Sequence, residues 1–125
     1  MKKLTALTMT LVMAVSLAAC GGKAQSVTYT MEQDNEGLKM TDTMTLNAKG
    51  DKVQKMEETI ALDMTGFDDD TQTLMTEAYD SLVESYQAVD GVECTGSAAD
   101  GVYTIAITID TTGDAVSKLA EQGLL

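Results

Sequence analysis

The chain contains no histidine and no arginine, so lysine is its only strong base. Without histidine there is no Ser–His or Cys–His pair, no histidine general base and no histidine metal ligand. Without arginine there is no bidentate clamp for phosphate or carboxylate. Lysine numbers 8 against 20 acidic residues, a formal charge of −12. That balance argues against nucleic acid, whose binding rests on basic side chains displacing counterions. It argues equally against docking on anionic headgroups by charge. The favoured partners are cations, basic peptides or a basic protein surface, although acidity also simply keeps an exported domain soluble. Cysteine is scarce too, with only Cys20 and Cys94. There is no CxxC pair, no glycine-rich phosphate loop and no internal repeat.

What is present is an address. Lys2 and Lys3 give a positive start, Leu4 to Leu17 form an apolar stretch, and Leu17-Ala18-Ala19-Cys20 reads as a lipobox closing a secretory signal peptide. The apolar stretch falls short of the ~20 residues needed to span a bilayer. The alternatives are an ordinary signal peptide with a chance cysteine, or a membrane helix. Charge order, apolar length, small residues and cysteine fit a lipoprotein together. Cys20 is then the lipid attachment residue, carrying diacylglyceryl and further acyl chains such as palmitate, and more than one chain anchors stably. Residues 1–19 are expected to be removed, 20–26 to form the lipidated cysteine and a flexible tether, and 27–125 to form a single domain. With Lys2 and Lys3 gone, six lysines face 20 acids, a charge of −14.

The hydrophobic pattern assigns the fold. Val27, Tyr29 and Met31 alternate with Thr28, Thr30 and Glu32. Leu38, Met40, Met44 and Leu46 alternate with threonines, and a third run carries Met56, Ile60, Leu62 and Met64 on one face. Turn chemistry at Asp34-Asn35-Glu36-Gly37 and Lys49-Gly50-Asp51 separates the runs, predicting an antiparallel meander with one wet face. From Thr71 to Val89 the period becomes helical, with Leu74, Met75, Ala78, Leu82, Val83 and Tyr86 on one face. Asp68-Asp69-Asp70 is placed to cap this helix and Gly91 to end it. Two further strands, Val92–Ala98 and Val102–Thr111, flank the hairpin signal Asp100-Gly101. A short helix through Ala115, Val116, Leu119 and Ala120 closes the chain. The class is α+β: an antiparallel sheet, a three-strand meander plus a hairpin, covered by one long helix, with a short C-terminal helix.

Four features invite a chemical reading. Asp68 to Asp70 fail as a calcium loop, since position 6 would be Thr73 and position 12 Tyr79, so helix capping is the expected role. Met40 and Met44 share a strand face, but four residues at ~3.3 Å rise separate them by ~13 Å, too far for one Cu(I) ion. Methionine is expected as adaptable core filler. Cys94 should be a buried, inert thiol. Asp42 falls on the face of Met40 and Met44, where a lone carboxylate is costly to bury. A bulge could turn it outward, it could guard a sheet edge, or it could be a buried functional carboxylate.

The lipobox, Lys49-Gly50-Asp51-Lys52-Val53-Gln54-Lys55, the helix end Tyr86-Gln87-Ala88-Val89-Asp90-Gly91-Val92 and the closing Ser117-Lys118-Leu119 resemble the YehR-like family of small bacterial lipoproteins. The resemblance implies a compact α+β lipoprotein domain of uncharacterised biochemical role, with no catalytic or binding residues to carry over. This chain departs from that family's lysine-rich character in being acidic. The expectation is a lipid-anchored, non-enzymatic binding or interaction module outside the cell membrane. It would need no cofactor or metal, with Cys20 in the membrane, an envelope protein as partner and no nucleic acid. A small-ligand or cation carrier is the alternative, and an envelope enzyme the third reading.

Overall fold

The computed structural model describes residues 9–14 and 24–125. Six strands form one sheet: β1 (Met9–Ala14), β2 (Ala24–Asn35), β3 (Leu38–Lys49), β4 (Lys52–Asp63), β5 (Val92–Ala99) and β6 (Val102–Asp110). Between β4 and β5 runs helix α1 (Asp69–Gln87), and α2 (Ala115–Glu121) follows β6. The strand order is β1-β2-β3-β4-β6-β5, with every neighbouring pair antiparallel. The α+β class, the meander, the hairpin and both helices are as the pattern predicts.

Turn chemistry fixes the register. Glu36 and Gly37 take φ of 51° and 96°, and Asp100 and Gly101 take 54° and 78°. Two consecutive left-handed residues match the twist of the strands they join, which keeps each two-residue hairpin tight. The one break in the ladder described is between Asn47 and Ala48, where the β3–β4 register shifts.

Two boundaries differ from the expected division of the chain. Ala24, Gln25 and Ser26, assigned from sequence to a tether, extend β2 and pair with Lys49, Ala48 and Asn47. Small polar residues carry no pattern of their own, yet their backbones complete the ladder that β3 offers. Met9–Ala14, within the apolar stretch assigned to the signal, forms edge strand β1 against Thr28–Gln33. Cys20 and the rest of the lipobox lie outside the described residues.

The core sits at one end of the sheet. Tyr103, Ile105, Ile107 and Ile109 of β6, Val92 and Cys94 of β5 and Leu62 of β4 are buried with Met64, Val83, Val89, Ala115 and Leu119. Helix α1 packs over β5 and β6, and α2 against β6. The stripe that α1 buries is Met75, Tyr79, Val83 and Tyr86. Leu74 (67% exposed), Ala78 and Leu82, assigned from sequence to the same face, point to solvent. The helix lies along a narrow hairpin, so it buries a narrower stripe than its apolar residues could supply.

Candidate functional site

Because α1 covers only β5 and β6, the same face of the sheet continues past the helix without a cover among the described residues. Alternation and register place Val27, Tyr29 and Met31 of β2, Met40, Asp42, Met44 and Leu46 of β3, and Met56, Glu58 and Ile60 of β4 on it. All ten are half-buried. Five strands of one sheet therefore have a dry end under α1 and a half-dry end that is mostly methionine, tyrosine and aliphatic.

Two carboxyl groups stand within this apolar surface. Asp42 lies opposite Met31 on one side and Ile60 on the other, and Glu58 lies between Met44 and Ile107. Their positions are diagonal across the β3–β4 pair, a separation that side chains of this length can bridge. Asp42 Oδ1 is buried with no hydrogen-bond partner among the described residues. Both groups resist ionisation. Burial raises Asp42 above the usual carboxylate range, offset by hydrogen bonding with Glu58. Burial, the Asp42 charge and hydrogen bonding to Asp42 push Glu58 up to about 7. When protonated, Glu58 can donate a hydrogen bond to Asp42, an arrangement open to a carboxyl group only in that state. The Glu58 charge also contributes, after burial, to raising Tyr86 of α1.

This location corrects two of the explanations offered for Asp42. It is not turned outward by a bulge, since the register shift lies farther along β3. Nor does it guard an edge, because β3 lies between β2 and β4. Glu58 was missed in the sequence, although it stands between Met56 and Ile60 in the same alternating series.

The other candidates have structural roles. Asp68 Oδ1 accepts from the Thr71 backbone N–H at 2.8 Å, capping α1, and this interaction holds its carboxyl below the ordinary range. Cys94 is buried among the isoleucines of β6, and burial pushes its thiol upward, away from thiolate reactivity. The methionines divide: Met64 is core, Met40 and Met56 pack against the core's edge, and Met31 and Met44 lie on the open face. The opposite face of the sheet is polar, with Thr28 and Thr45 hydroxyls 2.9 Å apart and Lys55 paired with Glu57 at 3.2 Å. A shallow, solvent-open depression there includes Lys55, Glu57, Glu93 and Thr108, on the other side of the sheet from Asp42 and Glu58.

Among known proteins, the chain is similar to the uncharacterised lipoprotein Lmo0207 of Listeria monocytogenes. The two are 34% identical over 97 residues, covering 74% of this chain and 58% of that protein. The likeness is to a bacterial lipoprotein. This chain spans well under two-thirds of that relative's length. No family model matches the chain, so the YehR-like resemblance rests on its turn and packing residues. No solved structure matches it.

Proposed function

We propose that this protein is a lipid-anchored interaction module, tethered through Cys20 to the outer side of the cytoplasmic membrane and acting by binding rather than turnover. The lipobox Leu17-Ala18-Ala19-Cys20 and the likeness to a lipoprotein support the anchor. The observation that carries the binding half is the face of β2–β4, uncovered among the described residues. An apolar surface left half-exposed in a fold that has a helix available to cover it is the signature of a contact site. The resemblance to the YehR-like family of small lipoproteins fits the same reading.

Tethering sets the mechanism. Lipid confines the domain to a surface, and the resulting local concentration strengthens weak contacts with other envelope components. Binding rather than catalysis is favoured by the chemistry available: the buried thiol is inert, no histidine is present, and the Asp42–Glu58 pair faces an apolar surface. The test is metabolic labelling with an alkynyl fatty acid followed by membrane fractionation. The unaltered chain should carry label and sediment with membranes, and Cys20→Ala should lose the label. Unlabelled chain in the soluble fraction of unaltered cells would overturn the anchor.

A further inference from the structure

We propose that the uncovered face of β2–β4 docks a segment of a protein partner that is apolar but carries one basic side chain, seated against Asp42 and Glu58. This rests on the reading of the domain as an interaction module and names the chemistry of its partner.

Charge complementarity selects the occupant. A purely apolar cover would take the two carboxyl groups further from water with no new partner, and Asp42 Oδ1 already lacks one among the described residues. A second copy docking by the same face would bring two Asp42–Glu58 pairs together, and like charges buried at close range oppose that contact. Anionic lipid and nucleic acid meet the same repulsion. An ammonium or guanidinium group supplies the missing donors and offsets the charge. Among the described residues no lysine stands on the face; Lys55, on β4, points to the other side and pairs with Glu57. The surroundings then require the rest of the segment to be apolar. Tyr29, Met31, Met44 and Ile60 border the pair, and unbranched methionines can repack against an incoming surface. Helix α1 already covers β5 and β6, so the segment lies along β2 and β3 rather than beneath the helix.

The test titrates the full-length chain, in an uncharged detergent, with a fluorescent amphipathic peptide. One face of the probe is leucine with a single central lysine, and its other face is serine and glutamine. The expected result is saturable binding. It should weaken at least about tenfold for the Asp42→Asn, Glu58→Gln double variant, and similarly when norleucine replaces the probe's lysine. Glu57→Gln with Glu93→Gln removes two carboxylates from the opposite face and should change affinity by less than about twofold. Met44→Lys, which places a cation on the face itself, should block binding. Equal losses from the two double variants would mean general acidity and would overturn the seat. So would an unaffected Asp42→Asn, Glu58→Gln chain, no binding at all, or a probe-independent dimer that Met44→Lys dissolves. Melting curves on the same samples separate lost binding from lost fold. Binding confined to the opposite face would remove this seat while leaving an anchored interaction module intact. Failure of lipid labelling at Cys20 would remove the anchor without touching the seat.

Discussion

Asp42 and Glu58 face each other diagonally across β3 and β4 on the half-dry side of the sheet, with Glu58 pushed up to about 7. A carboxyl whose folded pKa lies above its unfolded value binds a proton more tightly when folded. The contribution of Glu58 to stability is therefore fullest below about 4.5, the ordinary value, and is lost as pH rises through about 7, where the folded group ionises. Asp42 of β3 acts on Glu58 directly, and the Glu58 charge acts on Tyr86 of α1. Glu58→Gln should remove most of this slope. Discounted for the half-exposure of Glu58, the gain at pH 8 should be on the order of 1 kcal/mol, a rise of several degrees in melting temperature. A pH profile unchanged by the substitution would contradict the proton-sharing pair.

The Tyr103 hydroxyl donates to Asp80 Oδ1 at 2.5 Å, passing over Gly96 to reach the helix. A Cβ at position 96 would overlap that hydroxyl and come within 2.9 Å of Val83 Cγ2. Gly96→Ala should cost about 1–3 kcal/mol in thermal or urea unfolding, the range for overpacking a well-filled core. Tyr103→Phe should cost about 1 kcal/mol through the lost hydrogen bond.

Asp68→Ala should destabilise the domain by about 1 kcal/mol, because the Thr71 N–H loses its acceptor at the start of α1. The same substitution should leave probe-peptide affinity unchanged. A change in affinity would assign the acidic run a part in binding.

Much of this fold is legible in the sequence because strand alternation is local. Thr28, Thr30, Thr43 and Thr45 mark the wet side before any pairing is known, and Glu36-Gly37 and Asp100-Gly101 mark the hairpins. The order β4-β6-β5 is not local, since no single strand's period says that β6 pairs with β4 on one side and β5 on the other. Apolarity alone runs the helix stripe through Leu74 and Leu82, whereas packing selects Tyr79, whose ring lies 5.3 Å from that of Tyr103. Glu58 escaped because a search for apolar residues at period two steps over a carboxylate, even when its position is the informative one. Asp42 drew notice for the converse reason, but its partner came from the neighbouring strand.

Removal of residues 1–19 at the lipobox would take β1 with it and leave β2 as the sheet edge. Alternate β2 amides between Thr28 and Gln33 should then exchange with deuterium quickly in the processed chain, while those bonded to β3 stay protected. Uniform protection along β2 in the processed chain would show that another strand has taken the place of β1.

The most direct test of the account is photocrosslinking in intact cells, with a benzophenone side chain at Met44 on the open face or at Thr43 on the opposite one. The account predicts a discrete protein adduct from position 44, none of comparable yield from position 43, and loss of the adduct when Cys20→Ala releases the anchor. Adducts from position 43 alone, or equal yields from both faces, would contradict it.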